Sequence, residues 1–214
     1  MFPSSPLSKS ICPLTIVILL SRLESSIFAL ATKLGNDLVI GQFNSVGELG
    51  EILDAVITSD YDNVFVDSIT AVTQMLDASP VVQKARDKNV FDSFRMIGDA
   101  TVEIILKMKE IAEEHGKNAF ISIALKPKID VNGNLINVDA VTKGNMALES
   151  IKALCPTIVC VAQLPDEEGN LQRTMLTKSH GVFSARIDSL LDEDNPGQIA
   201  PDLSALFNLV KKEY

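Results

Sequence analysis

Hydrophobic and polar positions alternate between two regimes along the first third of the chain. Thr15 to Leu20 is a continuous β-branched and aliphatic run, the pattern of a strand buried on both faces. Leu23, Ile27, Leu30, Ala31 and Leu34 then fall at helical spacing across Ser21 to Leu34, and Gly35 closes that element. Leu38 to Phe43 predicts a second short strand. Ser45 reads as an N-cap with Glu48 three residues later, opening a helix to about Thr58 with Leu49, Ile52, Leu53 and Val56 inward. Asn63 to Val66 predicts a third buried strand, which ends on Asp67-Ser68.

Between about 70 and 95 the pattern weakens, and Pro80 with the charged stretch Gln83 to Asn89 predicts a loop holding a short helix. Met96 to His115 is the clearest helix, its apolar stripe formed by Ile97, Ala100, Ile104, Met108, Ile111 and Ala112, with Gly116 as the stop. Ala119 to Leu125 predicts a fourth strand, Asn132-Gly133 a tight turn or hairpin, and Met146 to Leu154 a short helix. Thr157 to Leu164 and Leu171 to Thr177 predict a β-hairpin across Pro165 to Asn170. Pro201 to Val210 predicts a terminal helix with Pro in its first position. Strands apolar on both faces and alternating with helices predict an α/β fold, a mainly parallel sheet flanked by helices, with the late hairpin as an antiparallel edge. Residues 1–13, with three Pro and four Ser, read as an irregular leader, and 14–214 as one domain.

Composition narrows the functions available. The net charge of −9 argues against a general polyanion binder, and the lack of Trp with only 5% aromatics argues against a base-stacking platform. Cys12, Cys155 and Cys160 make no CxxC, and two histidines give no zinc-ligand spacing. Cys155 and Cys160 read as small core residues, which fits a reducing cytoplasm. The apolar run near the N-terminus is too short to span a membrane. Lys9 and Ala29-Leu30-Ala31 resemble parts of a signal peptide, but Arg22 and Glu24 intervene. The expectation is a cytoplasmic protein without a membrane partner.

Asp67-Ser68 is the segment richest in chemistry. A buried strand ending in a carboxylate and a hydroxyl delivers them to the carboxyl edge of a parallel sheet, where open α/β sheets bind ligands. This strand resembles the Walker B strand of the RecA-like P-loop ATPase family, and the chain is most similar to the single-domain, recombinase-like ATPases of bacteriophages. The order of elements supports the resemblance, as do Arg173, Lys178, Ser184-Ala185-Arg186 and the Pro201-led terminal helix, over roughly residues 14–210. It implies a RecA-like fold, ATP and Mg2+ as cofactors, Asp67 and Ser26 at the metal, Ser68 beside them, and the cytoplasm of a phage host.

The phosphate loop departs from the family pattern. With Ser26 at the hydroxyl position of G-x-x-x-x-G-K-[ST], the other fixed positions fall on Leu19, Glu24 and Ser25. Glycines there let backbone N–H groups wrap phosphates and the lysine neutralises them. Ser25 removes the cation, and Glu24 places a like charge against the phosphates, a repulsion of up to about 4 kcal/mol at about 4 Å. The resemblance then implies a degenerate member without ATP hydrolysis and with no bound cofactor, an assembly, regulatory or virion-associated component. Its expected partners are further copies of itself or a related ATPase subunit, with single-stranded DNA bound weakly at most. The alternative is an active ATP-dependent DNA recombination or repair ATPase with an unusual phosphate loop.

Four further residues carry two readings each. Glu48 is the nearest candidate for the family's catalytic carboxylate, or a capping residue. Lys126 stands in for the missing cation, or is a solvated strand-end lysine. Lys178 and Arg186 reach toward a neighbour's nucleotide, or decorate a charged surface hairpin. An unrelated α/β enzyme with a closed pocket lined by Asp67, Ser68 and Lys126 is a third possibility.

Overall fold

The computed structural model describes residues 15–20, 43–143, 145–166 and 168–210, with the backbone alone for residues 15–20, 145 and 146. The predicted leader, the helix at 21–34, residues 38–42 of the second predicted strand, and Glu24, Ser25 and Ser26 lie outside the described residues.

Strand β1 (Thr15–Leu20) runs parallel to β3 (Asn118–Ile129) on one side and to β5 (Thr157–Pro165) on the other. Strand β2 (Asn63–Val66) is parallel to β3 on its far side. The remaining pairings are antiparallel. Strand β4 (Leu135–Ala140) returns along β3, β6 (Leu171–Leu176) along β5, and the short β7 (Arg186–Ile187) and β8 (Gln198–Ile199) close on β5 and β6. Three of the seven pairings among the described residues are parallel and four antiparallel. The sheet is therefore mixed, its β5–β8 part antiparallel, and the expected mainly parallel RecA-like sheet is corrected. The cause is local. Both hairpins fold back on central strands, and β7 and β8 are too short to leave a periodic signal.

The helices pack mainly on one face. Helix α1 (Val46–Ile57) buries Leu49 and Leu53, and α4 (Val90–Glu113) buries Ile97, Ile104, Ile105, Met108 and Ile111. They meet Val64, Val66, Ala119, Ile121 and Ile123 from the sheet, with Ile151 and Cys155 of α5 (Asn145–Leu154) and its exit closing the same core. The opposite face is covered by α6 (Leu203–Val210), which packs Leu206 and Val210 on Val159 and Val161. There the Phe120 ring stacks on Phe65 at 6.1 Å and meets Phe207 edge-on at 5.4 Å.

The segment expected as a loop holding a short helix is two helices and the start of a third. Helices α2 (Ile69–Ala78) and α3 (Pro80–Lys88) are capped by the hydroxyls of Ser68 and Ser79, and α4 begins at Val90, capped by Asn89, well before Met96. Each cap supplies an acceptor to an otherwise orphan backbone N–H. Helix α3 was hidden because it buries little beyond Val82. It is tied to α2 by Arg86 and Asp77, and Lys143 reaches the other Asp77 oxygen at 3.3 Å. The Arg86 guanidinium holds the Asp77 carboxyl below the usual carboxylate range, partial burial opposes it, and Lys143 adds to the lowering. That stabilisation is present at neutral pH and is lost as the pH falls through the carboxylate range. The terminal helix starts at Leu203, not Pro201, because Asp202 caps it by accepting from the Ser204 N–H at 2.9 Å.

Candidate functional site

Side-chain alternation decides which face of the sheet Asp67 occupies. Val64 and Val66 point into the helical core, so Phe65 and the residue after the strand fall on the α6 face. Strand β3 alternates the same way. Ile121 and Ile123 enter the helical core, while Phe120 stacks on Phe65. The parallel register sets Phe65 beside Phe120 and Val66 beside Ile121, which brings Asp67 next to Ser122. The Ser122 hydroxyl donates to Asp67 Oδ1, and Ser122 is only 2% exposed whereas Asp67 is open to solvent. No other hydrogen bond or ion pair engages the Asp67 carboxylate among the described residues.

The backbone turns directly into α2 after Asp67. Ser68 Oγ accepts from the Ala71 N–H at 3.2 Å and so caps that helix. Thr70, in its first turn, fills a gap in the sheet. Its hydroxyl accepts from the Ala124 N–H at 3.1 Å and donates to the Val141 carbonyl at 2.8 Å, beyond the end of β2, completing a pair whose other bond runs from the Val141 N–H to the Ala124 carbonyl. Asp67 thus stands on a rigid support, as a strand end braced by a helix start.

The other candidates are held elsewhere. Glu48 Oε2 accepts from the Asn44 N–H at 2.6 Å, one residue ahead of the cap, and its own N–H donates to Ser45 Oγ at 3.1 Å, so both its groups serve the start of α1. Glu48→Ala should therefore cost about 1 kcal/mol in chemical denaturation and leave ligand binding unchanged; a binding defect without a stability loss would return Glu48 to the site. Lys126 is exposed on β3 opposite Asp139 of β4. Alternation puts it on the same face as Ser122, but four residues on, about 13 Å along the strand, too far to touch Asp67.

Lys178 and Arg186 are committed within their own chain. Lys178 contacts the Asp192 carbonyl and, at 3.4 Å, its carboxylate. Arg186 donates to the carbonyls of Lys152 and Cys155 at the end of α5, and its Nε lies 3.3 Å from Asp188. Arg186 so satisfies orphan carbonyls at a helix C-terminus. This geometry does not bring either cation to Asp67.

A cavity of about 300 Å3 opens on the other face, between β3, β4, α5, β5 and residues 179–186. Ile123, Leu125, Ile151, Cys160, Phe183 and Arg186 line it, and Asp67, Ser68 and Lys126 do not. A closed pocket built from those three, expected for an unrelated α/β enzyme, is not what this cavity is. Burial pushes the Cys160 and Cys155 thiols up to about 12, with Arg186 and Lys109 pulling weakly the other way at Cys155. Both thiols are protonated at neutral pH and inert, as buried core cysteines are.

Two features escaped the sequence. Glu110, Glu114 and His115 cluster at the end of α4 with ligand atoms within 4.8 Å of one another, though Glu110 already pairs with Lys107 at 3.2 Å. Lys117 is 8% exposed and donates to the carbonyls of Ser59 and Tyr61 at 2.7 and 2.9 Å, fixing the entry into β2. Among the described residues no helix is long and apolar enough to cross a membrane. No known family model matches the chain, and no curated protein matches it.

Proposed function

We propose that this protein acts without hydrolysing ATP, as an assembly or regulatory component, and that the sheet edge at Asp67 keeps a weak site for a magnesium–nucleoside triphosphate complex. One observation carries the reading. An exposed carboxylate stands where a parallel strand ends, one oxygen held by Ser122 and the other not engaged among the described residues. A carboxylate at that place suits a hard divalent cation that brings its phosphates and waters as further ligands. Magnesium would supply charge neutralisation for the phosphates, and Asp67 would hold it.

The absence of turnover follows from the residues around that edge. Hydrolysis needs a group that orients or activates water and a cation for the developing charge. Glu48, the carboxylate candidate, is consumed in the cap of α1, and Lys126 stands about 13 Å along β3 from Ser122. The loss of lysine and glycine at Glu24-Ser25 works in the same direction. The active-ATPase alternative draws on the same Asp67 but finds no base for water within the described site.

Titration of Mg2+·ATP against thermal unfolding tests the site. With a dissociation constant near 1 mM, a tenfold excess over that constant should stabilise the wild type by about 1.4 kcal/mol. Asp67→Ala should remove the shift. An equal shift in both proteins, or none in the wild type, would contradict the reading.

A further inference from the structure

We propose that Ser122 is a positioning residue for Asp67: its buried hydroxyl holds one carboxylate oxygen inward and so turns the other toward the sheet edge, where a divalent cation binds. This rests on the reading of Asp67 given above and adds a determinant that no feature of the primary structure marks. Three observations converge on it.

First, Ser122 is the one polar side chain in the run Ala119–Ile123 of β3, between Ile121 and Ile123, which are 0% and 1% exposed. A hydroxyl at 2% exposure must find a partner, because an unpaired buried hydroxyl costs about 1–3 kcal/mol. The partner is a carboxylate from a different strand. Second, the contact is set by backbone register, since Asp67 and Ser122 follow in step from the Phe65–Phe120 pair. The ring stack beside it and the α2 cap at Ser68 fix both ends of the Asp67 segment. Third, a serine hydroxyl donates one proton and takes one carboxylate oxygen only. It orients Asp67 without occupying its second oxygen. Groups that hydrogen-bond to metal ligands in this way commonly change affinity by about 10–100-fold when removed.

Valine and threonine have nearly the same shape, so they separate the hydroxyl from the packing. The test measures Mn2+·ATP binding by electron spin resonance of the manganese, on the full chain, for wild type, Ser122→Thr, Ser122→Val, Ser122→Ala and Asp67→Ala, each checked for folding by its unfolding midpoint. Ser122→Thr should bind within about twofold of wild type, while Ser122→Val and Ser122→Ala should weaken binding about tenfold. Equal weakening in the threonine and valine variants would show that packing, not the hydroxyl, matters, and would overturn the proposal. Wild-type affinity in Ser122→Ala together with loss in Asp67→Ala would overturn the role of Ser122 while leaving Asp67 as the ligand. No binding by the wild type would overturn both.

Discussion

Replacing Ile121 with alanine should destabilise the protein by about 2–5 kcal/mol, the range for truncating a large side chain in a core that cannot collapse. Ile121 is 0% exposed in the apolar first half of β3, which there has a strand on each side: Ile16 of β1 and Val66 of β2 lie in register with it. Its side chain enters the helical core that also holds Met108 and Ile105 of α4, both 0% exposed. Neighbours fixed from two strands and a 24-residue helix cannot relax into the space that three lost carbons leave. Urea unfolding would read the loss directly. A change below about 1 kcal/mol would mean that Ile121 is not packed in the core between the sheet and α4.

Thr70→Val should cost about 1–3 kcal/mol for each group it strands. The substitution keeps the shape and removes the hydroxyl that bridges the Ala124 N–H and the Val141 carbonyl. Those two groups face each other beyond the end of β2, beside the direct bond from the Val141 N–H to the Ala124 carbonyl at 2.8 Å, and Thr70 bridges the half of that pair the backbone leaves open. Thr70 is 7% exposed, so water does not readily replace it. Hydrogen exchange at the Ala124 amide should accelerate in Thr70→Val and stay protected in Thr70→Ser. Unchanged protection in the valine variant would show that the gap is closed by something other than this hydroxyl.

Strongly periodic elements were readable from the chain itself. Helix α1 with its Ser45 cap, strand β2, the hairpin β5–β6 and the stripe of α4 follow from local alternation and turn chemistry, which act over a few residues. What escaped was either weakly amphipathic or decided at long range. Helix α3 buries little beyond Val82, so its charged surface predicts no more than a short helix within a loop. Strand β3 continues through Lys126, Pro127 and Lys128, all exposed, so its full length leaves no hydrophobic trace, whereas Ile136, Val138 and Ala140 of β4 alternate with Asn137 and Asp139 just beyond the Asn132-Gly133 turn. The early alternation of strand and helix predicts a mainly parallel sheet; the hairpin returns β4 and β6, with the short β7 and β8, add four antiparallel pairings to the three parallel ones.

The candidate site was half readable. A buried strand ending in Asp67 is a local pattern, and so is the Ser45 cap that engages Glu48. Ser122 is not, because a single serine in an apolar strand says nothing until the register sets it beside Asp67. Lys178 and Arg186 read either as fingers toward a neighbour's nucleotide or as charges on a surface hairpin, and the folded loops show them spent on Asp192 and on carbonyls at the end of α5 and its exit.

The proposal as a whole turns on whether ATP is consumed. Steady-state phosphate release at saturating Mg2+·ATP, with and without single-stranded DNA, compared between wild type and Asp67→Ala, is the most direct measurement. The expected result is no release above background in either protein. Sustained release by the wild type that disappears in Asp67→Ala would contradict it and establish an active ATPase built on this edge.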